Sequence, residues 1–110
     1  MRTKELIYLS EEELLDNTDY YPYISSLLQY RQFSEDFLSK TIYYYNSWNC
    51  LKFQKNLTPY FCFRYLYDNK TDSCDNWSSY DDIEEYFKNS KYSHMDLEAA
   101  YNLAMFERKN

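Results

Sequence analysis

Apolar residues along this chain cluster at helical spacing, and most clusters follow a hydroxyl residue and one or more acids. Ser10-Glu11-Glu12-Glu13 has the form of a capping box, in which the serine oxygen takes the amide three residues on and Glu13 reaches back. Ser34-Glu35-Asp36 sets a capping hydroxyl before two acids that suit the positive end of a helix. Thr58-Pro59 places a cap before a proline at the first helical position. Near the C-terminus, Ser79 precedes Ile83, Tyr86 and Phe87. Ser93 precedes an apolar stripe of Leu97, Ala100, Tyr101, Ala104 and Met105, closed by Arg108 and Lys109.

The first three starts recur at an interval of 24 residues. Aligned on that interval, the chain repeats Ser10 at Ser34, Glu11 at Glu35, Leu14 at Leu38, Tyr20 at Tyr44, Tyr21 at Tyr45 and Leu27 at Leu51. A third block from Leu57 keeps the cap and Phe61. The pattern reads as degenerate helical-hairpin repeats, or as a coincidence of amphipathic helices in a biased composition; a solenoid needs about three good copies.

The expected architecture is mainly α, a compact bundle of about four to six short helices in one small domain spanning residues 1–110. The competing pattern is α+β, with a small antiparallel sheet around residues 41–67, because Phe61, Phe63, Tyr65 and Tyr67 alternate with Tyr60, Cys62, Arg64 and Leu66. The chain contains no glycine, the residue on which tight hairpins lean, and this favours helices.

Composition narrows the function classes. Fifteen tyrosines exceed what a core of this size absorbs, since each buried hydroxyl needs a partner, so some must serve the surface. No glycine-rich phosphate loop can form. Cys50, Cys62 and Cys74 are odd in number and fit no zinc spacing, so reduced structural thiols are expected. A calcium loop starting at Asp68 would carry Lys70 at its third position and Ser79 where a bidentate glutamate belongs. His94 is the sole histidine and is expected near a helix cap or facing solvent. We therefore expect no enzyme, no cofactor and no metal. No apolar run approaches the roughly 18 residues of a membrane span, and acids interrupt the N-terminal segment, which reads against a signal peptide and for a cytoplasmic location in a host cell. Scarce alanine, proline and arginine beside abundant asparagine, tyrosine and lysine suit an AT-rich genome, as in a virus, a phage or a low-GC bacterium.

Charge is the most informative feature. Residues 68–85 hold seven acids and one base, which accounts for the whole net charge of −6. The acids are interleaved with Trp77, Tyr80 and Tyr86. Such a segment either solvates a loop and a helix start or meets a basic groove on a partner protein, with Asp72, Asp75, Trp77, Tyr80, Asp81, Asp82, Glu84 and Glu85 as contacts. Direct nucleic-acid binding is disfavoured by the negative charge. The protein is similar in size and charge to small anti-CRISPR proteins and uracil-glycosylase inhibitors, with no shared motif. That likeness implies an acidic nucleic-acid mimic that inhibits a host nucleic-acid enzyme. The alternative is a helical scaffold that binds partner proteins through a tyrosine-rich surface around Tyr20, Tyr21, Tyr44 and Tyr45.

Overall fold

The computed structural model describes residues 3–67 and 77–108. The chain divides into two compact units, Met1–Asn56 and Leu57–Asn110. Among the described residues the structure is helical, with no strand; the one β feature is an isolated parallel bridge between Tyr67 and Ser78. Residues 41–67 are helical turns and connections, so the sheet that their alternation suggested does not form.

The N-terminal unit contains α1 (Thr3–Leu6), α2 (Glu11–Asp16), α3 (Ile24–Leu27), α4 (Glu35–Lys40) and α5 (Ser47–Phe53), with 3₁₀ turns over Thr18–Tyr23 and Ile42–Tyr44. The caps form as their sequences dictate. The Glu13 amide donates to Ser10 Oγ and the Ser10 amide donates to Glu13 Oε1, each at 3.0 Å. Those bonds hold the Glu13 carboxyl below its ordinary value. Ser34 Oγ accepts from the Phe37 amide at 3.1 Å.

The 24-residue period is structural. Shifting α2 by one period lands on α4, residue for residue, and α3 shifted likewise falls within α5. Polar contacts join the successive segments: Asn49 Nδ2 approaches Ser25 Oγ at 3.4 Å, and Arg31 Nη1 donates to the Ile7 carbonyl at 3.0 Å, each across 24 residues. Glu11 accepts from both the Ser34 amide and the Ser34 hydroxyl, at 2.7 and 2.6 Å, tying the cap of α4 to the first turn of α2. Tyr21 and Tyr44 pair their rings at 4.7 Å. Beneath these contacts lie Leu14, Ile24, Leu27, Leu28, Phe37 and Leu38, all buried. Each helix is far too short to persist alone, so tertiary packing of these apolar side chains supplies the stability.

The C-terminal unit contains α6 (Pro59–Phe61), continued by a π-helical segment Cys62–Leu66, then α7 (Tyr80–Tyr86) and α8 (His94–Arg108). Thr58 caps α6 through a bond from the Phe61 amide at 3.3 Å, with Pro59 in the first helical position. Phe61, Phe63, Leu66, Ile83, Phe87, Leu97 and Ala104 form its core, with the α8 stripe inward as its spacing requires. At the end of the π-helical segment the carbonyls of Phe63 and Tyr67 accept from Arg108 Nη1, each at 3.0 Å, which joins it to the last turn of α8.

Candidate functional site: an acidic and aromatic face on α7 and α8

Helix α7 starts at a second capping box. The Asp82 amide donates to Ser79 Oγ at 3.2 Å, and the Ser79 amide donates to Asp82 Oδ2 at 3.0 Å. With Ile83 and Phe87 buried, helical geometry turns Asp81, Asp82, Glu84 and Glu85 onto the outer arc. Every residue of that arc is a carboxylate. Asp82 is committed to the cap, whereas Asp81 and Glu85 are exposed and make no ion pair among the described residues.

The start of α8 lies against this arc. His94 Nδ1 stands 3.3 Å from Glu84 Oε2, and His94 Nε2 stands 4.0 Å from Glu98 Oε2. His94 is thus solvent-facing, as expected, but sits between two glutamates contributed by different helices. Ser93 and Asp96 form the α8 capping box, with bonds of 2.8 and 3.2 Å.

Tyr80 connects the acids to a cluster of rings. Its centroid lies 5.0 Å from Phe63 and 5.3 Å from Tyr101, and Tyr101 lies 5.4 Å from Phe63 and 5.5 Å from Tyr67. Tilted and edge-to-face packing of this kind suits the ring quadrupoles. Partial burial, then the negative charges of Glu84 and Glu98 and the neighbouring Tyr101, raise the Tyr80 phenol above its ordinary value. The face therefore combines a fixed aromatic platform with carboxylates along one edge, an arrangement suited to a cationic partner.

Of the residues expected from sequence, Tyr80, Asp81, Asp82, Glu84 and Glu85 share α7, and Trp77 is half-buried just before it. Asp72 and Asp75 lie outside the described residues, as does Cys74. Sequence reasoning passed over Glu98, Tyr101 and Tyr67 as members of the site. Glu98 carries a local signal, its i,i+4 spacing from His94, but only the packing of α8 on α7 brings it beside Tyr80.

Elsewhere in this unit, a cleft of about 450 Å³ is bordered by Pro59, Tyr60, Lys91 and Asp96, and it contains none of the expected residues. Among the described residues no three His, Cys, Asp or Glu side chains are arranged to hold a metal ion, and no helix is long and apolar enough to cross a membrane. Cys50 and Cys62 are both buried. Burial pushes the Cys50 thiol up to about 12, eased by a hydrogen bond with Tyr45 and reinforced by Glu35. The alternative tyrosine surface changes in membership: Tyr45 is buried with its hydroxyl donating to the Leu38 carbonyl at 2.7 Å, and Tyr21 donates to the Leu15 carbonyl at 2.7 Å. Tyr44 is exposed, as are Tyr8, Tyr30, Tyr43 and Trp48, which the sequence reading did not include.

Compared with protein-family models, with curated proteins and with solved structures, the chain matches none.

Proposed function

We propose that the protein is a non-enzymatic binding module whose acidic and aromatic face on α7 and α8 occupies a basic groove on a partner protein. One observation carries the reading: Asp81, Glu84 and Glu85 line the outer arc of α7 beside Tyr80, which is held in a ring cluster. A rigid aromatic anchor loses little entropy on binding, and a row of carboxylates steers a cationic partner and rejects an anionic one. In its most specific form the partner is a host nucleic-acid enzyme, the carboxylates stand where phosphates would lie, and the protein inhibits by occupancy in the host cytoplasm.

The test is capture from host lysate at about 0.1 and about 0.5 M salt, because exposed charges are screened beyond about 10 Å at the lower value. Wild type is run beside a variant with Asp81→Asn, Glu84→Gln and Glu85→Gln, leaving the Asp82 cap intact. A basic protein retained by wild type at low salt and lost from the variant supports the reading. Equal capture by both proteins at both salts overturns it.

The exposed aromatics of the N-terminal unit favour a second reading, a helical scaffold that binds partner proteins through them. Trp48 is 64% exposed, although the residue one period earlier, Ile24, is buried. This reading expects salt-insensitive capture that is lost on Tyr43→Ala and Trp48→Ala.

A further inference from the structure

Helix α8 has two apolar faces. Leu97 and Ala104 fill the core, but Met95, Leu103 and Phe106 are 78%, 51% and 66% exposed, and Ala99 lies exposed between them. At 100° per residue these four fall within one outer arc, and Met95 to Phe106 spans about 16 Å, or three turns. A solvated helix back has no need of a leucine, a methionine and a phenylalanine in register.

The borders of this stripe are acidic on both sides. Asn102 and then Glu98 flank one edge, and Asp96 with Glu107 flanks the other, all four exposed; Asp96 also accepts from the Ser93 amide and Glu107 from the Tyr60 hydroxyl. The one arginine of the helix, Arg108, is turned inward to the Phe63 and Tyr67 carbonyls. We infer that the outer face of α8 docks an amphipathic helix of a partner protein, one whose apolar stripe is flanked by lysine or arginine. The i, i+4, i+8 and i+11 positions form a ridge that suits the groove of another helix, and the acidic borders select its charge. A second copy of this chain fits poorly, because α8 packed on α8 in either direction sets acid against acid along both edges. An anionic membrane is repelled by the same borders.

This extends the reading of a cationic partner to the adjoining face of the same unit; Glu98 borders both, and Leu103 and Phe106 on one side against Asp81, Glu84 and Glu85 on the other separate their tests. The probe is a synthetic peptide of about 18 leucines and lysines patterned as an amphipathic helix. A scrambled peptide of equal charge, without an apolar face, is the control. Binding is followed by amide chemical shifts on the intact protein and by anisotropy of the labelled peptide. The patterned peptide is expected to perturb Met95 to Phe106 and to bind at least about tenfold more tightly than the scrambled one. Leu103→Ser with Phe106→Ser, both at exposed positions, should cost about tenfold, while the α7 charge variant keeps most of the affinity. Glu98→Gln with Glu107→Gln should weaken binding and flatten its salt dependence. Equal binding of the two peptides, or no effect of the serine pair, overturns the inference. So does a dimer that the serine pair dissociates, or binding to uncharged phosphatidylcholine vesicles through the same residues.

Discussion

The buried side chain of Gln54 accepts from the Phe33 amide at 2.8 Å, while its Nε2 donates to the carbonyls of Leu28 and Arg31 at 3.0 and 2.8 Å. One amide thus satisfies three main-chain groups of the connection between α3 and α4, where no helix supplies partners. Gln32 reinforces it at the surface, donating to the Phe53 carbonyl and accepting from the Lys55 amide at 2.8 and 2.7 Å. The two glutamines lock one repeat to the next across their chain crossings.

Gln54→Ala leaves those three groups without partners in the interior, and each such group costs about 1–3 kcal/mol. Allowing for relaxation and some entry of water, urea denaturation should register a loss of about 3 kcal/mol. Gln32→Ala, at an exposed position, should lose less than about 1 kcal/mol. Equal losses at the two positions would contradict the assignment of Gln54 as the buried clamp.

What sequence made legible was local. Ser10, Ser34, Thr58, Ser79 and Ser93 each cap a helix because a hydroxyl followed by an acid or a proline satisfies end amides without help from distant residues. The 24-residue period was also visible, in the pairs Leu14 with Leu38 and Ser10 with Ser34, because stacked units must bury equivalent positions. The Gln54 clamp was not visible, since a glutamine in a polar stretch reads as surface until the carbonyls it meets are placed. Tyr45 misled for a related reason: its repeat partner Tyr21 is half-exposed, and identity at equivalent positions does not ensure equal burial at the ends of a stack. On α7 the outward acids followed from periodicity, but nothing local sets Glu98 and Tyr101 beside Tyr80. The aromatic run 60–67 alternates as a strand does, yet the Thr58-Pro59 start and the inward demand of Phe61, Phe63 and Leu66 make it helical.

Glu11 and Ser34 join the repeats through a charge-assisted pair of bonds, so their coupling is measurable. Glu11→Ala should cost about 1 kcal/mol, and Ser34→Ala somewhat more because it also removes the cap of α4. The double variant should lose less than the two single losses combined, by about 0.5–1 kcal/mol, as residues in one network do. Strict additivity in a double-mutant cycle would show that the contact carries no energy.

Cys50 should resist thiol reagents in the folded state. In a Cys74→Ser background, labelling at pH 8 should be slow and should follow global opening, then become fast in urea. Its thiol ionises near 9 when unfolded and at about 12 when folded, so the unfolded chain sheds the proton first. The stability it contributes is therefore whole below pH 9 and falls as pH rises toward 12, by up to about 4 kcal/mol. Cys50→Ala should show a shallower alkaline decline than the parent. Rapid labelling of folded Cys50 at pH 8 would refute its placement in the core.

Tyr80 reports the field of the acidic face directly. Its phenol is raised first by burial and then by Glu84, Glu98 and Tyr101, so it should be among the last tyrosines to ionise. Carbon-13 labelling of the tyrosine ring, assigned with Tyr80→Phe, isolates its titration from the other tyrosines. Glu84→Gln with Glu98→Gln should lower its pKa, but only part of the way to the ordinary value, because burial remains. Added salt should act in the same direction as removing the charges, since both weaken the repulsion of the phenolate. Because the folded value lies above the unfolded one, the stability Tyr80 contributes is present below pH 10 and is lost as pH rises through the folded value. If the double glutamine variant left the Tyr80 titration unchanged, the carboxylates would not act on the ring cluster, and the α7–α8 face would lose the electrostatic coupling on which its reading as a site for cationic partners depends.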